Sequence, residues 1–113
     1  MPRDVHLYLR DIATAIERTL GYCAGLDRGG FEADMRTVDA VCRNLEVLGE
    51  AAKKVPEEFR SAHPEIEWRK LAGMRDVLAH DYFQVDLDVV WDVVQNKLPE
   101  LRHRIGRLLD DVR

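Results

Sequence analysis

Apolar residues recur at steps of three and four positions along most of this chain, which is the spacing of one face of an α-helix. The first such run predicts a helix from about Asp4 to Ala24, with Asp4 placed to cap it. The glycines and charges of Gly25–Gly30 predict a flexible loop. A second helix is then expected from about Phe31 to Val55. Its inner face should carry these residues: Met35, Val38, Val41, Cys42, Leu45, Leu48 and Ala52.

The second half of the chain continues this helical pattern. Pro56 is expected to open a short helical turn, Glu57–Ala62, because proline is tolerated at a first helical position. A third helix is predicted from Trp68 to about Tyr82, and a fourth from about Asp86 to Val112 with a kink near Pro99. No alternating strand pattern competes with these runs. The sequence therefore predicts an all-α fold, an antiparallel four-helix bundle with a short extra helical turn.

Composition and charge limit the class of protein. At 113 residues the chain is expected to form one domain, residues 1–113. No apolar run approaches the roughly 20 residues of a membrane span, and the N-terminus lacks the apolar core of a signal peptide. Cys23 and Cys42 are too few for a disulfide framework or a zinc site, so buried thiols and a reducing cytoplasm are expected. The net charge of −4 argues against nonspecific coating of nucleic acid, but it allows a local basic cleft.

Arg75 departs from the apolar pattern of the third predicted helix. It falls in the middle of an apolar stripe, where a bundle normally buries leucine or alanine. A guanidinium cannot be neutralised, and burying one without a partner is expensive. Arg75 must therefore pair with a carboxylate, line a cleft or face a partner that carries anionic oxygens. The stripe consists of Trp68, Leu71, Leu78, Ala79 and Tyr82.

His80 follows Arg75 by five positions, and a histidine has an unperturbed pKa of about 6.5, which suits proton transfer near neutral pH. Arginine for phosphate charge and histidine for protons form the minimum set for metal-independent RNA cleavage. On a regular helix the two side chains point about 140° apart. Either the helix loosens near His80 or two subunits share the site. The residues alone leave another interpretation open, an arginine at the bundle edge and a histidine capping a helix C-terminus.

The spacing Arg75-x4-His80-x-Tyr82 resembles the signature of the HepT-like toxins of the HEPN superfamily. A lone Arg-x4-His pair would be weak support, but further segments resemble the family in order along nearly the whole chain. These segments are Arg3–Leu9 with Ile12, Asp39–Val41, Arg43–Glu46, Gly49–Ala52, Pro56–Arg60, His63–Trp68, Ala72–Asp76 and Val85–Trp91.

The resemblance implies a metal-independent endoribonuclease, the toxin of a prokaryotic toxin–antitoxin module. It makes Arg75 and His80 the catalytic pair and implies an RNA substrate, with no cofactor, metal site or membrane. HepT-like proteins are known as dimers whose active clefts lie along the subunit interface, so a homodimer is expected. The resemblance also makes Tyr82 the acceptor of AMP from an MntA-like minimal nucleotidyltransferase antitoxin. Taken by itself, Tyr82 is also compatible with a core tyrosine whose hydroxyl lies at the rim.

Four polar residues could support the catalytic pair: Asn44, Glu46, Glu50 and Asp76. Asp76 lies four residues before His80 and could fix its tautomer, or it is an ordinary surface residue.

Three of these supporting candidates lie on the second predicted helix. Glu46 and Glu50 form an ion-pair row with Arg43, or one of them pairs with Arg75 or orients His80 from the neighbouring helix. Asn44, on the opposite flank, would be a polar contact of the bundle or dimer.

Gly49 lies on the inner face of this second helix and favours close approach of a neighbouring helix. A rival to the ribonuclease hypothesis is a non-catalytic helical module that docks on a nucleotidyltransferase. The intact pair of Arg75 and His80 disfavours this rival, because a docking surface does not need both.

Overall fold

The computed structural model describes residues 4–80 and 86–112, without the side chains of Ala79 and His80. Every regular element in these ranges is helical, which confirms the all-α prediction. The elements are α1 (Val5–Cys23), α2 (Arg28–Ala33), α3 (Met35–Lys54), α4 (Glu57–Ala62), α5 (Trp68–His80), α6 (Leu87–Asp92), a π-helical segment (Val93–Lys97) and α7 (Leu98–Asp111).

The helix starts follow from the side chains that precede them. Asp4 caps α1 by accepting a hydrogen bond from the backbone N–H of His6 at 2.9 Å, as predicted. Asp86 caps α6 in the same way, with the backbone N–H of Asp88 at 2.8 Å. The third predicted helix is α5, and the last two residues predicted for it lie outside the described residues.

The region before α3 corrects the sequence prediction. The loop predicted over Gly25–Gly30 is shorter than expected: residues 25–27 are non-helical, but α2 begins at Arg28. The Asp27 carboxylate caps α2 by accepting a hydrogen bond from the backbone N–H of Gly30 at 2.7 Å. Phe31 is fully buried, and its ring centroid lies 5.2 Å from that of Trp91. Burial of this ring stabilises a short helix that its two glycines disfavour.

The prediction that the second long helix begins at Phe31 is therefore wrong, because α3 begins at Met35. Asp34 caps it, with the Thr37 hydroxyl donating to its carboxylate at 2.8 Å. Met35 was expected on the inner face but is 61% exposed. Met35 is the first residue of α3, and the buried positions of this helix begin at Val38.

The long helix α3 is the centre of the bundle. It packs against α1 on one side and α5 on another, while α1 also packs against α7. Each buried aliphatic side chain stabilises the fold by about 1.5–3 kcal/mol relative to an exposed one. Within the described ranges, no helix is both long enough and apolar enough to cross a membrane. The largest fully buried aliphatic residues include Leu9, Ile12, Ile16, Val41, Leu45, Leu48, Leu98 and Ile105.

The last helix continues past Pro99 to Asp111, as predicted. Proline has no N–H, and its ring crowds the carbonyl four residues earlier. The π-helical segment ends at Lys97, two positions before Pro99, and the backbone N–H of Leu98 donates to the Val93 carbonyl, five residues back. A kink was predicted near Pro99, and the irregularity that the structure has near this residue is the π-helical segment.

Candidate active site

Gly49 marks a point where α3 and α5 approach each other closely. A Cβ atom added at Gly49 would lie 2.5 Å from the Cβ of Arg75 and 2.6 Å from the backbone oxygen of Leu71. Real Cβ atoms do not come so close to other heavy atoms, so only glycine fits this contact. The predicted role of Gly49 is confirmed, and the residue it faces across the contact is Arg75.

The side chain of Arg75 extends outward from the contact between α3 and α5, and 28% of it is exposed to solvent. Its Nε lies 2.8 Å from the Glu50 Oε2 atom, and its Nη1 donates to the Asp76 carboxylate at 3.2 Å. This arrangement explains how an arginine is accommodated in an apolar stripe. The stem packs against Gly49, whereas the guanidinium reaches carboxylates at the edge of the contact.

The guanidinium borders a polar cleft of about 300 Å³ between α1, α3 and α5. Both signs of charge line it, so it differs from an ordinary apolar pocket. Residues of all three helices contribute to its wall, including Tyr8, Arg43, Glu46, Glu50, Lys54 and Arg75. We refer to this space as the polar cleft.

Two lysines at the end of α3 extend the charge pattern around Arg75. The Nζ of Lys54 lies 3.5 Å from the Glu50 carboxylate, and the Nζ of Lys53 lies 3.9 Å from the Asp76 carboxylate. Each carboxylate that contacts Arg75 thus has a second cation beside it. Neither lysine was predicted to belong to the site, although Lys54 follows Glu50 by four residues, the spacing of a helical ion pair.

The other supporting candidates behave differently from Glu50. Glu46 lies 3.6 Å from Arg43 in an ion pair within α3, although it also lines the polar cleft. The Asn44 side-chain amide donates to the backbone oxygen of Ala40 at 2.9 Å, which makes it an intrahelical contact. Asp76 contacts Arg75 and Lys53, and the predicted contact with His80 depends on a side chain outside the described residues.

His80 is the last residue of α5, so its backbone lies about one helical turn beyond Asp76 and five residues beyond Arg75. Tyr82, the predicted AMP acceptor, lies outside the described residues.

The two cysteines are free and buried, as predicted. Burial raises the pKa of Cys42 to about 11, and the nearby charge of Asp39 adds to this. Burial also raises the pKa of Cys23. A nucleophilic cysteine needs a low pKa and access to solvent, so neither thiol is suited to catalysis.

Among the residues that the structure describes, no group of three or more histidine, cysteine, aspartate or glutamate side chains is arranged to hold a metal ion. The chemistry visible in the polar cleft is that of a partly exposed arginine held by carboxylates.

Comparison with known proteins identifies the family. The profile of the family described as "Ribonuclease HepT-like" matches residues 12–108. The protein named "Probable ribonuclease HepT" from Thermococcus cleftensis is 43% identical over 108 residues, covering 96% of this chain and 98% of that protein. This chain belongs to the HepT-like family of the HEPN superfamily.

Other relatives of this HepT-like chain have similar names. A Methanocaldococcus jannaschii protein named "Putative RNase" is 35% identical over 113 residues, covering 99% of this chain and 93% of that protein. Another protein named as a putative RNase, from Caldanaerobacter subterraneus, is 35% identical over 102 residues. The match covers 90% of this chain and 91% of that protein. No solved structure matches the chain significantly. The family resemblance drawn from Arg75, His80 and Tyr82 is thus confirmed at the level of the family.

Proposed function

We propose that this HepT-like chain is a metal-independent endoribonuclease that cleaves RNA with Arg75 and His80. The observation that carries the proposal is the position of Arg75. Its guanidinium is partly exposed at the polar cleft, in a chain whose relatives are named as ribonucleases. An arginine in such a place offers directed hydrogen bonds to phosphate oxygens.

The reaction is attack of a ribose 2′-hydroxyl on the adjacent phosphorus. The 2′-oxygen forms a bond to phosphorus, the bond from phosphorus to the 5′-oxygen breaks, and a 2′,3′-cyclic phosphate and a 5′-hydroxyl result. His80 moves a proton, either from the attacking hydroxyl or to the leaving oxygen. Arg75 stabilises the negative charge that develops on the non-bridging oxygens.

The test is RNA cleavage by the purified protein in EDTA, with analysis of the product ends. We expect cyclic phosphate ends, and we expect Arg75→Ala and His80→Ala each to lose activity while retaining the helical circular-dichroism spectrum. Arg69→Ala, an exposed arginine of the same helix, is the matched control and should remain active. Activity that persists in His80→Ala at equal purity would contradict the catalytic assignment, and an inactive wild type would favour the docking module.

We also propose that the chain acts as a homodimer, with α5 and the helix from α6 to α7 at the interface. A groove of about 710 Å³ with a mainly apolar wall separates these elements, and we refer to it as the apolar groove. Val77 and Val89 line it and are 51% and 59% exposed, respectively. A second copy would cover these valines, and in this proposal each subunit supplies one His80 to a shared cleft, as the family resemblance implies. Sedimentation of a stable monomer at micromolar concentration would contradict this proposal.

The cellular role proposed is that of a cytoplasmic toxin, neutralised by an MntA-like nucleotidyltransferase that adenylylates Tyr82. An added phosphodiester near Arg75 would compete with RNA for the guanidinium. Tyr82→Phe should keep its activity but escape enzymatic neutralisation, while Tyr22→Phe, which changes a 43% exposed tyrosine of α1, should be neutralised normally. Mass spectrometry after coexpression should find AMP on the Tyr82 peptide. An adduct on Tyr8 or Tyr22 would contradict the assignment.

A further inference from the structure

Glu50 contacts Arg75 from the neighbouring helix, directly beside the close approach at Gly49. We propose that Glu50 is a positioning residue, whose carboxylate holds the Arg75 guanidinium in the orientation that receives the scissile phosphate. This inference rests on the proposed ribonuclease function and specifies how its arginine is oriented.

The geometry gives Glu50 a rigid base from which to act. The Cβ of Arg75 and the backbone of Leu71 leave no room beside Gly49, so the two helix backbones are fixed relative to each other at this point. Glu50 is the next residue along α3, and its carboxylate lies 2.8 Å from the Arg75 Nε. A contact to Nε restricts rotation of the guanidinium, which otherwise has much rotamer freedom to lose.

The contact pattern leaves Arg75 able to bind an anion. Within the described residues, Nε lies against Glu50 and Nη1 lies against Asp76. Arg75 is 28% exposed, so its guanidinium can be reached from solvent. A guanidinium has five N–H donors, more than these two contacts need, so a phosphate oxygen can accept a charge-assisted hydrogen bond without displacing Glu50.

The surrounding charges also fit a phosphate-binding role. Lys54 lies beside Glu50 and Lys53 beside Asp76, so three cations surround the two carboxylates that contact Arg75. The carboxylates therefore orient the guanidinium without making its immediate surroundings negative. Glu46 does not share this arrangement, because its ion-pair partner is Arg43.

Steady-state cleavage of a short RNA by Glu50→Ala and Glu50→Gln tests the proposal. Glu50→Ala should lower kcat by roughly 10- to 100-fold, because a loosely held guanidinium is poorly aligned with the transition state. Its KM should stay unchanged or fall, since removing a negative charge does not weaken phosphate binding. Glu50→Gln should stay within a few-fold of wild type, because its amide oxygen keeps a polar acceptor beside Nε. Glu17→Ala, which removes a surface ion pair with Arg102, is the control and should behave as wild type.

The Nε–H signal of Arg75 in a nitrogen-15 NMR spectrum provides a readout that does not require activity. The signal is assigned by its loss in Arg75→Lys. We expect it to shift and to exchange faster with water in Glu50→Ala, but to stay close to its wild-type position in Glu50→Gln.

Three outcomes would overturn the positioning role. These are wild-type kcat in Glu50→Ala, a loss in Glu50→Gln as large as in Glu50→Ala, or a rise in KM with unchanged kcat. A wild-type protein that cleaves no RNA would instead refute the proposed function, whatever the spectrum shows.

Discussion

Two faces of α5 meet the rest of the protein in different ways. On the first face, Arg75 packs against Gly49 of α3, and ion pairs continue outward into the polar cleft. On the second, apolar side chains such as Val77 and Leu78 face the apolar groove toward α6 and α7. The first face is tightly packed and charged at its edge, whereas the second is open and apolar.

The difference shows how one short helix can combine two tasks. The face against α3 fixes the position of a charged group, because a close backbone contact allows little movement. The face toward the apolar groove exposes side chains such as Val77, which is 51% exposed. Contiguous exposed apolar surface is typical of a protein interface. We therefore expect substitutions on the two faces to have separable effects.

The largest effect on folding is expected at the close approach. Gly49→Ala places a Cβ against the Cβ of Arg75 and against two backbone atoms, the oxygen of Leu71 and the nitrogen of Arg75. Backbone atoms cannot avoid this contact by a change of rotamer. The helices must separate locally, which should cost about 1–3 kcal/mol in the free energy of unfolding. Urea denaturation followed by circular dichroism measures this loss.

Gly73→Ala provides the matched control for that prediction. It is the same substitution in α5, but its added Cβ would meet no atom within 4 Å. It should raise the free energy of unfolding by about 0.5–1 kcal/mol, because glycine disfavours a helix interior. Equal effects of the two substitutions would show that helix propensity, and not the contact with Arg75, governs this position.

A second prediction concerns the open face. Val77→Asp should shift the sedimentation coefficient toward that of a monomer, because it places a charge on the proposed interface. The monomer's own stability should change by less than about 0.5 kcal/mol, since Val77 is 51% exposed. Met35→Asp, at a 61% exposed position outside the apolar groove, should leave the association unchanged. Loss of association in both variants would argue against a specific interface at the groove.

The smallest effect is expected at the rim of the apolar groove. There the Nζ of Lys70 lies 2.7 Å from a Glu67 carboxylate oxygen, and both side chains are exposed. The hydrogen bond from Lys70, followed by its charge, lowers the pKa of Glu67 below its usual 4.5. The same pair raises the pKa of Lys70 above its usual 10.5.

Glu67→Gln tests the contribution of this rim pair. The difference in unfolding free energy between wild type and variant should be small and fully present between about pH 4.5 and 10.5. It should disappear as pH falls through the lowered pKa of Glu67 or rises through the raised pKa of Lys70. Urea titrations at several pH values and two salt concentrations measure it. A difference that persists at low pH or high salt would show that the contact is not electrostatic.

Much of the architecture is encoded locally and was therefore predictable from the sequence. The periodicity of apolar residues indicates which side of a helix is buried, and Asp4 caps α1 through a residue two positions away. Arg75 stood out for the same reason, because a charge in an apolar stripe is visible without any knowledge of neighbouring helices. The short helix α2 was missed because its stability depends on Phe31 packing against Trp91, 60 positions later.

The sequence by itself determined the helical class, the inner faces of the long helices, the family signature and the unusual position of Arg75. Only the tertiary structure decided that Glu50, and not Glu46, contacts Arg75, and that Tyr8 and Lys54 share its polar cleft. The physical reason is that helical periodicity specifies which residues share a face, but not how two faces are aligned. That alignment is set where the helices touch, and here Gly49 against Arg75 sets it.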